Sequence, residues 1–367
     1  MGYNKDSRIV MTLDAGGTNF VFSAVQAEAE IIEPIILSAQ GDLLETILKT
    51  IIDGFNQVKS KIPGDPVAIS FAFPGPADYE KGIIGDLQNL PLFRNGVALG
   101  PMLAEKFGVP AFINNDGDLF TYGEAISGLL PEINQKLRDA GNPKCYRNLF
   151  GVTFGTGFGG GIVTRNGLLF GDNSAGGEIN RTRNRSFKNF DAEESVSIRG
   201  LKRAFASHSG RTIDSCPEPK EIFEIGMGLK NGNKEAAILA FDSFAIDAAD
   251  AIANAMTLID GLVVIGGGLS GASPLFLPKL VAEMNHPFDT LSGQLLERME
   301  VNAYNLEDQE DLGKFLQTSS REIPIPFTGR HILFDPNKKI GVGISKLGTS
   351  KAVSIGAYAF ALSKIDG

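Results

Sequence analysis

The stretch Ile9-Val10-Met11-Thr12-Leu13-Asp14-Ala15-Gly16-Gly17-Thr18-Asn19-Phe20-Val21-Phe22-Ser23-Ala24-Val25-Gln26 decides the fold. Two apolar, branched runs, Ile9–Asp14 and Phe20–Gln26, flank the turn Ala15-Gly16-Gly17-Thr18-Asn19 and read as a β-hairpin with a glycine turn. Much later the pattern returns. Leu149–Phe154 is a strand, Gly155-Thr156-Gly157-Phe158-Gly159-Gly160-Gly161 a turn, and Ile162–Thr164 a second strand. Two such hairpins suggest an internal duplication of one α/β unit.

Working outward from the first hairpin, Ile31–Ser38 adds a third strand, and Asp42–Lys61 shows helical spacing of Ile47, Ile51 and Phe55. Val67–Phe73 is a buried-type strand ended by Pro74-Gly75-Pro76, Val97–Phe107 a helix, and Ala111–Ile113 a short strand. Asp118–Leu130 reads as a helix with Asp118 as its N-cap. In the second half, helices are expected over Glu193–Ser207, Glu218–Leu229 and Lys234–Leu258. Leu262–Ile265 is a strand before Gly266-Gly267-Gly268, and the tail Thr349–Ser363 is a helix capped by Thr349 or Ser350. The order of elements is α/β with hairpins, not a uniform βαβ series.

Composition narrows the function. The 367 residues are 43% hydrophobic and carry a net charge of -9, which argues against nucleic acid or an anionic membrane as the main partner. An acidic chain binds phosphate locally, through backbone N–H groups, helix ends and Mg²⁺. Cys145 and Cys216 are far apart and in no metal-ligand spacing, which fits a reducing compartment. No apolar run reaches the ~20 residues of a membrane helix, and the polar Met1–Arg8 leads straight into a strand. The expectation is a cytoplasmic protein. His208, His286 and His331 are isolated, and 25 Phe without any Trp read as core packing rather than a carbohydrate-stacking platform.

Both glycine turns suit phosphate. Backbone approaches an anion closely only where side chains are absent, and glycine turns aim successive N–H groups at one point. Asp14-Ala15-Gly16-Gly17-Thr18-Asn19 adds an acidic residue able to hold Mg²⁺ through water, and Thr156 matches Thr18 in the second turn. Each turn alone would equally serve as a structural hairpin. No strand–GxGxxG–helix and no Walker loop is present.

Asn115-Asp116-Gly117-Asp118 lies where a strand ends and a helix begins, where ligands bind in α/β sheets. A carboxylate there orients a hydroxyl and accepts its proton during phosphoryl transfer. Capping accounts well for Asp118 and poorly for Asp116. Glu178, Glu193 and Glu194 are further carboxylates of a type that accepts paired hydrogen bonds from sugar hydroxyls.

Together these motifs resemble the ROK family of sugar kinases and sugar-responsive regulators, a branch of the hexokinase–actin-like ATPase superfamily. Asp14–Asn19 resembles its first phosphate loop, and Phe73-Pro74-Gly75-Pro76-Ala77-Asp78 its PGPxD segment. Asn115-Asp116-Gly117-Asp118 with Gly123-Glu124 resembles its NDxNxxxxGE stretch, Asp118 replacing the second Asn. Phe154–Gly161 resembles the second phosphate loop, and Gly266-Gly267-Gly268 the adenosine-side glycines. The resemblance implies two actin-like ATPase (ribonuclease H-like) α/β domains with a cleft between them. The first would hold residues 1–118 plus a C-terminal helix at 350–367, the second residues 119–349. It implies an ATP- and Mg²⁺-dependent sugar kinase, a homodimer, with Asp116 as base. Asn115, Gly75, Glu178 and Glu193 would meet the sugar. Asp14, Gly16, Gly17, Thr18, Asn19, Gly155, Thr156 and Gly157 would meet the phosphates. Glu194 competes with Glu193.

The chain departs from the family where GGExGH and CxCGxxGC would bind structural zinc. Here Glu178-Ile179-Asn180-Arg181 carries no histidine, and no cysteine lies between Glu178 and Glu193. Thiolates are needed for that site, so no zinc is expected. The basic loop Arg181–Lys188 is either a solvated surface or a place where Arg181 takes over a substrate or structural contact. A non-catalytic sugar-sensing regulator is the alternative function, although strand one begins too early for an N-terminal DNA-binding helix-turn-helix. A phosphotransferase acting on acetate or polyphosphate is a third, disfavoured by the Asn115-Asp116 pair and the glutamates.

Overall fold

The computed structural model describes residues 2–15, 18–85, 91–165 and 167–367. Two of the expected phosphate ligands, Gly16 and Gly17, lie outside the described residues. The chain forms two compact units. Unit 1 holds Met1–Pro131, Gly160–Gly177 and Lys346–Gly367; unit 2 holds Glu132–Gly159 and Glu178–Ser345.

Unit 1 is built on the opening hairpin. Strands β1 (Ile9–Ala15) and β2 (Asn19–Gln26) pair antiparallel, with Ala15 opposite Phe20. Strands β3 (Ala29–Glu30) and β4 (Ile35–Ser38) both pair with β2. On the other side β5 (Pro66–Ala72) runs parallel to β1. Two short strands, β6 (Ala77–Asp78) and β7 (Ile83–Ile84), form a hairpin after it. Strand β8 (Ala111–Asn114) then lies parallel to β5. Helix α1 (Leu44–Lys61) repeats an apolar residue every third or fourth position, so Ile47, Ile51, Phe55 and Val58 fall on one buried face. Phe55 lies 5.2 Å from Phe22, 6.0 Å from Phe71 and 5.9 Å from Phe107 of α2 (Leu99–Phe107), ring centre to ring centre. The abundant phenylalanines of this unit thus pack its core.

The Asn115-Asp116-Gly117-Asp118 segment opens α3 (Asp116–Ser127), and α4 (Leu129–Asp139) follows. The structure corrects two expectations here. The helix starts at Asp116 with Asn115 as its N-cap, and Asp118 is inside the first turn, buried to 4% exposure. The cap moves because Asn115 is extended (φ -71°, ψ 149°) and its side-chain oxygen accepts from the Gly117 N–H at 2.8 Å.

Unit 2 repeats the plan. Strand β9 (Leu149–Phe154) enters the second glycine turn and β10 (Phe158–Thr164) leaves it, passing from Gly160 into unit 1, where β11 (Gly167–Leu168) folds back on it. Strand β12 (Leu262–Gly266) is parallel to β9, as β1 is to β5. The expected helix Glu193–Ser207 is split into a 3-10 turn at Ala192–Glu194 and α5 (Ile198–Ser209). Two side-chain caps cause the break: Asp191 accepts from the Glu194 N–H and Ser197 from the Gly200 N–H. Helices α6 (Pro219–Gly226), α7 (Lys234–Ile259), α8 (Ser273–Met284) and α9 (Gln309–Leu316) complete the unit. So do hairpins β13–β14 (Phe288–Asp289, Leu295–Leu296) and β16–β17 (Arg321–Pro324, His331–Phe334). Strands β15 (Asn302–Asn305) and β18 (Lys339–Ile344) extend the parallel sheet in the order β9-β12-β18-β15.

The last helix, α10 (Thr349–Ile365), belongs to unit 1. Gly348 is its N-cap and neither Thr349 nor Ser350 caps it through a side chain. Tyr358, Ala361 and Leu362 cover Val10, Val25 and Ala68 on the sheet face opposite α1. Tyr358 also donates towards the carbonyls of Asp6 and Arg8 and accepts from the Ala27 N–H. Arg8 holds both Asp6 and Asp366. Unit 1 therefore reaches past the expected boundary at residue 118. Helix α3 packs along α10 at glycine contacts, a Cβ at Gly123 running into the Ala352 carbonyl and one at Gly356 into that of Leu119. Gly160 and Gly161 lie against Gly117, which adds Gly160–Gly177 to the unit.

Candidate active site

In unit 1 the site grows from the strand register. Asp14 stands opposite Ala72, and Ala72 opposite Asn114, so three parallel strands end in one row. Neighbouring strands are ~4.8 Å apart, so the chain ends of β1 and β8 lie close enough for groups on both to face one ligand. The Phe73 N–H donates to the Asn114 carbonyl at 2.9 Å and the Tyr79 hydroxyl to the Phe73 carbonyl at 3.0 Å. This brings the Pro74-Gly75-Pro76 loop, with its cis Gly75–Pro76 bond and exposed Gly75, to the same row.

Asp116 follows two residues later. A cavity of about 580 Å³ in unit 1 is lined by Asp14, Asp116, Thr12, Ser23, Glu28 and Lys351, among others. The Asp116 side chain is exposed to this space, with protein atoms of the cavity wall around it. Loss of bulk water pushes its pKa up, the Asp14 charge pushes the same way, and backbone N–H groups of Gly117 and Asp116 oppose both. Asp14, Thr18 and Asn19 are exposed at the hairpin turn. Asn115 spends its oxygen on the helix cap, which leaves its amide N–H groups as the side-chain donors for a ligand.

In unit 2 the Gly155-Thr156-Gly157 turn is closed by a bond from the Gly155 N–H to the Gly157 carbonyl at 3.0 Å, with Thr156 exposed. Glu193 braces it: Oε2 accepts from the Phe158 N–H at 3.0 Å, and a Cβ on Gly157 would stand 2.7 Å from that oxygen. Gly267 has φ 86° and its Cβ position is filled by the backbone of Phe154, so only glycine fits. The Leu269 N–H donates to the Phe154 carbonyl at 2.9 Å. The Gly266-Gly267-Gly268 loop thereby joins the second glycine turn at the end of β9.

The competing glutamates have separate jobs in the structure. Glu194 is paired with Arg203 at 2.7 Å and Arg199 at 2.6 Å, and the Arg203 hydrogen bond leads in holding its pKa below the usual carboxylate range. Glu193 alone of the two faces the glycine turn. Glu178 is exposed ahead of a 3-10 turn at Ile179–Arg181, and Arg181 is exposed, 3.9 Å from Asp191. Among the described residues no group of three or more His, Cys, Asp or Glu is arranged to hold a metal ion, and no helix is long and apolar enough to cross a membrane.

Sequence reasoning passed over Asn184, a buried side chain in the basic loop. Its signal was the run Asn184-Arg185-Ser186, since asparagine bonds backbone two residues on in an Asx turn. It also passed over the start of α10, whose Thr349, Ser350 and Lys351 line the unit 1 cavity. Glu124, read with Gly123 as part of a motif, is fully buried and accepts from the Leu129 N–H at 2.8 Å, so it secures the α3–α4 junction.

Comparison with known proteins identifies the family and the fold. The ROK family model matches residues 10–309. A solved glucokinase from Parabacteroides distasonis is 52% identical over 99% of both chains, with a TM-score of 0.91. The N-acetyl-D-glucosamine kinase of Photobacterium profundum is 26% identical over 74% of this chain and 88% of its own length. The glucokinase of Thermotoga maritima is 28% identical over 46% of this chain, and the match spans about half of that enzyme, 48%. The two-unit α/β architecture is the actin-like ATPase fold of the ROK sugar kinases. The chain belongs to the ROK family.

Proposed function

We propose that this chain is an ATP-dependent kinase that phosphorylates a hydroxyl of a hexose or amino sugar, with Asp116 as general base. The observation that carries the reading is the position of Asp116. It heads a helix at the carboxyl end of a parallel strand and opens onto a cavity shared with Asp14, where partial loss of water raises its pKa. A base with a raised pKa accepts a hydroxyl proton more readily than an ordinary carboxylate. The family membership and the kinase relatives support the reaction class.

In this reading the Asn115 amide and Glu193 orient the sugar, with Gly75, Glu178 and Arg181 at its edge. Asp116 takes the proton as the oxygen attacks the γ-phosphoryl group of ATP. Thr18, Asn19 and the turn Gly155–Gly157 hold phosphates through N–H and hydroxyl donors, together with Gly16 and Gly17. Gly266–Gly268 leave room for the adenosine. Asp14 suits Mg²⁺ through water, and the ion would neutralise charge on the phosphates. The reading includes a cytoplasmic homodimer and needs no zinc, since the loop after Glu178 has no thiolates.

The test is coupled ADP release over a sugar panel that starts with glucose and N-acetylglucosamine. Turnover is expected with at least one of them, and Asp116→Asn should lower kcat by about 10²–10⁴ with little change in sugar affinity. Sugar binding without turnover would instead mark a non-catalytic regulator. Retained turnover in Asp116→Asn would remove Asp116 as base.

A further inference from the structure

The loop from Arg181 to Asp191 poses a mechanical problem. It carries Arg181, Arg183, Arg185 and Lys188, whose like charges repel, and no disulfide or metal cluster closes it. Yet the turn directly after it must present Glu193 to the Phe158 N–H.

Asn184 closes the loop. It is 2% exposed, and its amide is fully used. Nδ2 donates to the Asp191 carbonyl at 3.0 Å and to the Ser195 hydroxyl at 2.8 Å. Oδ1 accepts from the Ser186 and Phe187 N–H groups, both at 2.9 Å. Its own N–H donates to the Phe190 carbonyl at 3.0 Å. An asparagine has two donors and two lone pairs to offer, so nothing remains unsatisfied. The two donor bonds land on either side of the 3-10 turn Ala192–Glu194, one on Asp191 and one on Ser195. The loop is moored outward too: the Ser186 hydroxyl donates to Asp247 of α7 at 2.6 Å, and Arg185 pairs with Glu283 of α8 at 3.1 Å.

We propose that Asn184 is a positioning residue that clamps the Ala192–Glu194 turn and so fixes the Glu193 carboxylate against the second glycine turn. The amide network does here what a bound metal or a disulfide would do in another loop, without titrating and without a redox state. Asn184 touches no reacting atom; its effect passes through Glu193. The kinetic part of the proposal rests on the sugar-kinase reading.

The experiment uses the full chain with Asn184→Ala and Ser195→Ala, the latter removing one acceptor of the clamp. Hydrogen exchange reads the Phe158 amide, which Glu193 accepts from. Its exchange is expected to speed up in Asn184→Ala, less so in Ser195→Ala, while amides of β1 in unit 1 keep their protection. Sugar KM should rise roughly tenfold in Asn184→Ala, the scale of one or two lost hydrogen bonds. In a Glu193→Ala background the same change should have almost no further effect, because the path is already cut. Unchanged Phe158 exchange in either folded variant, or effects of Asn184→Ala and Glu193→Ala that simply add, would overturn the proposal. If Asn184→Ala does not fold, Ser195→Ala carries both readouts. Should wild type turn over no sugar, the kinase reading fails, and Phe158 exchange still decides the role of Asn184.

Discussion

Asp14 and Asp116 face one cavity, and their charges are coupled. The negative charge of Asp14 makes ionisation of Asp116 harder, on top of the partial loss of water that already raises its pKa. The base proposed here works only when deprotonated, so turnover should fall as pH drops through the Asp116 pKa, above the ordinary Asp value of ~3.9. Replacing Asp14 with Asn removes a like charge and eases ionisation. The acid limb of the kcat/KM profile should then move to lower pH, even as the overall rate falls with loss of the carboxylate proposed to hold Mg²⁺. An acid limb that stays in place or moves up in Asp14→Asn would show that the two groups do not interact. Local polarity in Asn115-Asp116-Gly117-Asp118 marks Asp116 as a candidate in the sequence. It was not enough to choose the cap, because Asn115 and Asp118 are both good N-caps and only the backbone angles at Asn115 settle which one is used. The choice between Glu193 and Glu194 is similar: neighbours distant in sequence, Phe158 and Arg203, separate them.

At the scale of elements, the contact of α3 with α10 governs where Asp116 sits. The helices approach at Gly123 and Gly356, where a methyl group would collide with backbone carbonyls of Ala352 and Leu119. Alanine is favoured over glycine within a helix by about 1 kcal/mol. Overpacking costs typically 1–3 kcal/mol and occasionally more, and a carbonyl held in a helix cannot turn aside as a flexible side chain can. The collision should win, so Gly356→Ala is expected to destabilise by about 2 kcal/mol or more and to lower activity by shifting α3. Gly313 of α9 is the control. A Cβ there meets nothing within 4 Å, so Gly313→Ala should stabilise by up to about 1 kcal/mol. Thermal and denaturant unfolding of the two variants would read the opposite signs; a stabilised Gly356→Ala would contradict the close approach. The helices themselves were legible from apolar spacing. Their glycine contact was not, because a glycine inside a helical pattern looks the same whether its missing side chain faces solvent or a carbonyl.

For the whole molecule, the N-terminal strand and the C-terminal helix complete the same unit. Tyr358, Ala361 and Leu362 cover Val10, Val25 and Ala68, and Arg8 ties Asp6 to Asp366. Burying a leucine side chain fully is worth roughly 1.5–3 kcal/mol, and a domain's whole stability is only about 5–15 kcal/mol. A chain ended after Gly348 should therefore lose unit 1 as a cooperative structure while unit 2 keeps its own transition. Calorimetry and limited proteolysis would follow this, the first residues becoming sensitive to protease; a truncated chain with wild-type unfolding and turnover would argue against it. What the sequence determined by itself is whatever depends on neighbours along the chain: the two glycine hairpins, the strand-to-helix step at Asp116, the apolar stripe of α1, and the lack of cysteine between Glu178 and Glu193. The tertiary structure alone decided what depends on residues far apart in the chain. It put Asp14, Ala72 and Asn114 in one row, assigned Glu193 to the second glycine turn, closed the basic loop with Asn184, and carried the first unit past residue 118. Hydrogen bonds and close packing act over a few ångströms in space, and the sequence holds no measure of which distant residues will come within that reach.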